Sequence, residues 1–212
     1  MSRDLSILQT VPSCGMRIRS VARSVRGLIR VSLLGLLIMN NVAAAEHLIA
    51  DFQATPHAAW QVVNDDVMGG VSVGAWTVTN GAAQFSGDLS LENNGGFASV
   101  RSPLAPGDLG QTDNFVIRVR GDGRRYKFTA RMGSSFDSAI YQLTFVTKNG
   151  EWEEHRLALK DFVPSFRGRV LTGAPPLDPA KIASIGFLIA DRQEGPFRLE
   201  ISWIKAVGSL PR

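Results

Sequence analysis

Between residues 115 and 120 the chain alternates, with Phe115, Ile117 and Val119 apolar and Arg118 and Arg120 polar. The same period of two returns in Tyr126, Phe128, Ala130 and Met132, which alternate with Lys127, Thr129 and Arg131. Tyr141, Leu143 and Phe145 repeat it, and so do Phe197, Leu199, Ile201 and Trp203. Successive side chains of a strand point to opposite faces, so each run predicts one face on a core and one face in water. Asn80-Gly81 and Asn149-Gly150 interrupt such runs, and Asn-Gly supplies the positive φ angles of a type I′ hairpin. One short helical turn is expected at Asp178-Pro179-Ala180-Lys181, with Asp178 as cap and Pro179 at the first helical position. This pattern predicts roughly nine or ten short strands and an all-β fold, an antiparallel jelly-roll β-sandwich. With no internal linker, one domain is expected within residues 46–212, its strands running from about Leu48 to Val207.

Residues 1–45 read differently. They hold Arg3, Arg17, Arg19, Arg23, Arg26 and Arg30 against one acid, Asp4, followed by the apolar run Val31–Met39 and then Ala43-Ala44-Ala45. A basic region, a short apolar region and an alanine site predict a signal peptide of bacterial type, cleaved before Glu46, and an exported protein. The alternative is a mitochondrial transit peptide, which is also Arg-rich and acid-poor. Translation starts at Met1 or at Met16. The apolar run is far shorter than the roughly 20 residues of a spanning helix, so no permanent membrane span is expected.

The leader also changes the charge. The whole chain is formally +4, but residues 46–212 carry 17 basic and 18 acidic residues, a net charge of −1. Such a domain lacks the basic footprint of a nucleic-acid binder. The single cysteine, Cys14, lies in the leader, so disulfide and thiolate chemistry are not expected beyond it.

Several motifs invite chemistry. Gly70-Val71-Ser72-Val73-Gly74 matches the G-x-S-x-G pattern, but a hydrolase serine sits between a strand and a helix, and here a strand follows. Ser72 is read as a turn residue. Asn64, Asp65 and Asp66 could offer oxygen ligands to calcium, yet no D-x-D-x-D-G loop surrounds them, and beside Gly69-Gly70 they read as turn chemistry. No paired histidines suggest zinc, and no G-x-G-x-x-G suggests a dinucleotide. Glu151, Glu153 and Glu154 flank Trp152, but neighbouring acids on a strand face opposite ways, unlike a glycosidase pair. No catalytic, cofactor or metal residues are assigned. Leu91-Glu92-Asn93-Asn94-Gly95-Gly96-Phe97 repeats the earlier theme of polar side chains beside a Gly-Gly pair, and the two loops are expected to line a shared edge.

At these two segments the sequence resembles the CIA30 family, the complex I intermediate-associated protein 30 domain. The resemblance rests on Trp60, Asn64, Asp65, Met68, Gly69 and Gly70, and on Asn93, Asn94, Gly95, Gly96, Phe97 and Arg101. It continues through Gly121-Asp122-Gly123, Asp161-Phe162-Val163-Pro164, Ile185-Gly186-Phe187 and Gly195-Pro196-Phe197, colinear over roughly residues 50–206. It implies a galactose-binding-like sandwich and a chaperone-like assembly factor with a protein partner. Carbohydrate binding on the same sandwich is the alternative. Trp60, Phe97, Trp152 and Trp203 are read as core or loop-packing aromatics, and Arg101 is expected to pair with Asp65 or Asp66 across the two loops. Arg124-Arg125 and Arg167-Gly168-Arg169 are read as a basic rim.

Overall fold

The computed structural model describes residues 46–54, 58–105, 107, 109–133 and 138–208. The expected leader, residues 1–45, lies outside them. The described residues form an all-β sandwich of thirteen strands. One antiparallel sheet contains β1 (Glu46–Asp51), β3 (Val73–Thr79), β4 (Ala82–Leu89), β6 (Asn114–Arg120), β9 (Trp152–Ala158) and β13 (Gly195–Val207). Its order is β3-β4-β13-β6-β9, with β1 paired to β13. The other sheet contains β2 (Gln61–Asn64), β5 (Ala98–Pro103), β7 (Arg125–Arg131), β8 (Ile140–Val146), β10 (Val163–Phe166), β11 (Arg169–Val170) and β12 (Ser184–Ile189), in the order β11-β10-β8-β7-β12-β5-β2.

The alternating residues supply the core. Phe115, Ile117 and Val119 of β6 are buried against Tyr126, Phe128 and Ala130 of β7 in the facing sheet. The Phe115 and Phe128 rings meet at 5.0 Å, and Phe187 stands edge-on to Phe128 at 5.3 Å. Interdigitation of two such inner faces is what holds a sandwich together.

The chain departs from the simple pattern in three places. The ladder of β13 shifts between Ile201 and Trp203, so Ile204 takes the buried position and Trp203 turns outward beneath Lys205. Such a bulge re-aims every later side chain. Asn80 and Gly81 have φ of 53° and 75° and close the expected hairpin between β3 and β4. Asn149-Gly150 does not close one, because β8 and β9 belong to different sheets. There only Gly150 takes a positive φ, and its N–H reaches Gly121 as the chain crosses over. The strand count exceeds the expected nine or ten because β2, β10 and β11 have only four, four and two residues, and β1 carries little alternation. Pro179–Lys181 forms the expected turn, with the Asp178 carboxylate accepting the Ala180 N–H at 3.0 Å.

Candidate functional site

β2 ends at Asn64, and the chain turns at once into a 3₁₀ turn, Asp65–Met68. This sends the Asp65 side chain inward, where it is fully buried. Its Oδ1 accepts the Ser72 N–H at 2.9 Å. Its Oδ2 accepts the Ser72 hydroxyl at 2.5 Å, the Gly96 N–H at 2.6 Å and the Phe97 N–H at 3.2 Å. The Ser72 oxygen in turn accepts the Ser90 N–H at 3.0 Å. One carboxylate thus joins the two Gly-Gly loops. Burial pushes the Asp65 carboxyl up, but the Ser72 hydroxyl and the N–H groups of Gly96, Phe97 and Ser72 outweigh it. The group is held below the usual carboxylate range.

The glycines follow from this contact. A Cβ on Gly70 would press into the Asp65 carboxyl, and one on Gly95 would lie 2.6 Å from Asp65 Oδ2. Their neighbours Gly69 and Gly96 have φ of 89° and 122°, where a side chain is strained. Each pair therefore gives one glycine to space and one to conformation. Asn93 and Asn94 lead into the second pair with φ of 53° and 60°, left-handed values that asparagine tolerates.

The same contact explains the hydrolase-like pattern. Gly70 makes room for Asp65, Ser72 donates to it, and a Cβ on Gly74 would sit 2.7 Å from Asn64 Oδ1. Ser72 lies just before β3, buried and bonded to Asp65 and Ser90, so its hydroxyl serves the loop junction. Asn64 Oδ1 is buried without a hydrogen-bond partner among the described residues. Asp66 points outward, and its Oδ1 accepts the Val67 N–H.

The expected pairing of Arg101 with Asp65 or Asp66 does not form. Arg101 Nη2 donates to Gln61 Oε1 at 3.4 Å on the neighbouring strand, and both Asp65 oxygens are occupied by Ser72 and the second loop. Backbone N–H groups, which leave no mark in a residue sequence, take the place assigned to the guanidinium. Trp60 stacks on Trp76 at 4.5 Å and also meets Phe52 and Phe187, so it is a packing residue. Trp152 lies beneath Arg120 at 4.9 Å. Arg124 bonds the Gln193 and Glu194 carbonyls, holding a turn instead of standing as a free rim.

Outside the junction two surfaces adjoin. Val67, Met68, Val71 and Val73 are 57, 58, 46 and 61% exposed on the stretch that Asp65 anchors. Beside them lies a groove of about 540 Å³ over the outer face of the seven-stranded sheet, bordered by Val67, Met68, Gly95, Gly96 and Phe97. Arg101, Lys127, Thr129, Arg131 and Gln142 line its floor. Residues 127, 129 and 131 were legible as wet positions of a strand, but nothing local to them announces a groove. Among the described residues, no group of three or more His, Cys, Asp or Glu side chains gathers as a metal site would require.

A family model described as complex I intermediate-associated protein 30 (CIA30) matches residues 50–201. The chain belongs to this family. A mouse protein named complex I intermediate-associated protein 30, mitochondrial, is 31% identical over 166 residues, covering 68% of this chain and 51% of the mouse protein. The Neurospora crassa protein of the same name is 30% identical over 134 residues, covering 55% of this chain and 48% of its own. This CIA30 chain thus matches about half the length of those relatives. Among solved structures, it resembles a family 11 carbohydrate-binding module of Clostridium thermocellum in complex with a β-1,3-1,4-mixed-linked tetrasaccharide. The TM-score is 0.59 at 16% identity, over 80% of this chain and 99% of the module. At that identity the likeness establishes the galactose-binding-like fold alone.

Because the folded-state value of Asp65 lies below the unfolded one, its stabilisation is complete above the unfolded carboxylate value of about 3.9. It is lost as pH falls through the folded value. Asp65→Asn places an amide among hydrogen-bond donors, and the expected cost at pH 7 is about 2–4 kcal/mol in urea unfolding. The gap between wild type and variant should narrow below about pH 4, as Asp65 itself becomes protonated. A variant within about 0.5 kcal/mol of wild type at pH 7 would contradict the junction's role.

Proposed function

We propose that this CIA30 chain is a non-enzymatic binding and assembly module that holds a protein partner at the edge formed by its two Gly-Gly loops. The observation that carries this is the exposed apolar stretch Val67, Met68, Val71 and Val73 on a loop fixed from within by Asp65. Exposed apolar side chains that cluster mark interaction surfaces, and a pre-ordered loop loses little entropy on docking. The names of the mouse and Neurospora relatives, both complex I intermediate-associated proteins, support an assembly role in which the partner is a component of that complex or of its intermediates.

Carbohydrate binding is the second reading, favoured by the sandwich alone. Sugar rings pack on exposed aromatic faces, and tryptophan and tyrosine are absent from the described residues lining the groove. Phe166 does line it, but the Arg167 guanidinium lies over that ring at 5.2 Å. The chemistry of the groove therefore supports the protein reading over the sugar one.

The compartment follows from the leader. The word mitochondrial in the relatives' names supports the transit-peptide alternative, while Ala43-Ala44-Ala45 supports export. Import of the precursor into isolated mitochondria would establish the first, and cleavage before Glu46 with release from the cytoplasm would establish the second.

Cross-linking of the full chain in membranes of its own cells, read by mass spectrometry, tests the function. A specific partner should cross-link near residues 67–73, and Val67→Asp with Met68→Asp should lower its recovery about tenfold with the melting temperature unchanged. Unaltered recovery from the double variant, together with submillimolar binding of a β-1,3-1,4-glucan oligosaccharide, would overturn the proposal in favour of a sugar-binding module.

A further inference from the structure

The edges of the two sheets are protected unequally. An open edge strand presents unpaired N–H and C=O groups, a template for another strand, and proteins blunt it with charge, proline, bulges or short length. β9 carries Glu153, Glu154, His155 and Arg156, and register with the buried Val119 and Ile117 turns Glu153 and His155 inward. β1 is broken by a bulge between Leu48 and Ala50. β2 and β11 have only four and two residues. β3 has none of these guards. Its seven residues, Val73–Thr79, hold no charged side chain and no proline, and they pair with β4 without a register shift.

The free side of β3 follows from its hairpin. Thr79 and Ala82 flank the two-residue Asn80-Gly81 turn, so they form a hydrogen-bonded pair, and such pairs alternate along an antiparallel ladder. Val73, Ala75, Thr77 and Thr79 therefore bond to β4, while the N–H and C=O groups of Gly74, Trp76 and Val78 turn away from it. Among the described residues no strand pairs with that side. Val73 is 61% exposed, and Ala75, Thr77 and Thr79 are exposed on the outer face. The strand begins directly after Ser72, which two hydrogen bonds tie to Asp65, so the edge is held extended before anything docks.

The two ends of β3 differ. Val71 and Val73 stand exposed at its beginning, whereas Thr77, Thr79 and Asn80 are exposed at its end. A second copy, pairing β3 with β3 about a two-fold axis, would set the apolar end of each strand against the polar end of the other. A strand of a different protein can place apolar side chains beside Val71 and Val73, continuing the exposed apolar stretch of the loop. At about 3.4 Å per residue the edge is roughly 24 Å long, which matches about seven residues of an added strand.

Resting on the protein-binding reading above, we propose that β3 receives an uncharged, extended segment of the partner protein as an added strand of the six-stranded sheet, with the segment's apolar side chains beside Val71 and Val73. Main-chain bonds to Gly74, Trp76 and Val78 supply the pairing, and the two valines fix its register.

The test uses amide exchange in the full chain and a fluorescent, end-blocked nine-residue peptide of alternating valine and threonine between terminal lysines. In the free chain the Gly74, Trp76 and Val78 amides should exchange at least tenfold faster than those of Ala75, Thr77 and Thr79. The peptide should bind by anisotropy and slow the three fast amides. Only alternate residues of a strand face its neighbour, so methylating one alternate set of peptide amides should lower affinity at least tenfold, and methylating the other should not. Ala75→Lys with Thr77→Lys guards the edge and should lower affinity about tenfold with the melting temperature unchanged, while Arg156→Gln on β9 should not change it. Equal exchange of the two amide sets in the free chain would overturn the inference. Equal effects of the two methylations, or binding unaltered by the lysine pair, would do the same. A chain that sediments as a dimer and becomes monomeric with the lysine pair would assign the edge to a second copy and overturn it as well. If no peptide binds while cross-linking still finds a partner dependent on Val67 and Met68, the added strand fails alone. If both fail, the protein-binding reading falls with it.

Discussion

A buried carboxylate governs the loop edge of this sandwich. Taking an ionised group out of water costs several kcal/mol unless hydrogen bonds replace its hydration. Asp65 finds those bonds in Ser72 on its own loop and in Gly96 and Phe97, 31 and 32 residues further along the chain. Most of the nearby sequence can be understood as service to that contact. Gly70 and Gly95 clear space around the carboxylate, Gly69 and Gly96 bend the backbone to present it with N–H groups, and Gly74 admits the neighbouring Asn64.

The contact also connects folding to function. A loop that is tied to the core can leave Val67, Met68, Val71 and Val73 in water without collapsing onto them. Two of them, Val67 and Met68, border the groove over the outer face of the seven-stranded sheet. The carbohydrate-binding modules share the layered frame at TM-scores of 0.57 to 0.59. Function resides in the side chains that a frame displays, and here those are arginine, lysine and short polar groups instead of an aromatic platform.

Much of the fold was legible in the sequence because period-two alternation is dictated by the geometry of a strand. Phe115 to Val119 and Tyr126 to Ala130 fall inward as their pattern requires. The β-bulge at Ile201–Trp203 was not legible, since the residues alternate straight through it and only the pairing with β6 slips. Nor was the crossover at Asn149-Gly150, whose local chemistry is that of a hairpin although its flanking strands belong to opposite sheets. At the site, the co-occurrence of two Gly-Gly loops announced their meeting. The agent was misread, because a charged pair with Arg101 is visible in letters whereas a carboxylate on backbone N–H groups is not. The groove depends on register across strands distant in sequence, and no single segment encodes it.

Amide hydrogen exchange tests the central claim most directly. The Ser72, Gly96 and Phe97 amides lie outside the strands, yet each is bonded to Asp65. They should exchange as slowly as strand amides of β5 and β13, and all three should accelerate together in Asp65→Asn while the β13 core keeps its protection. Rapid exchange of these amides in the wild-type chain, or separate responses of the two loops to the substitution, would contradict the account.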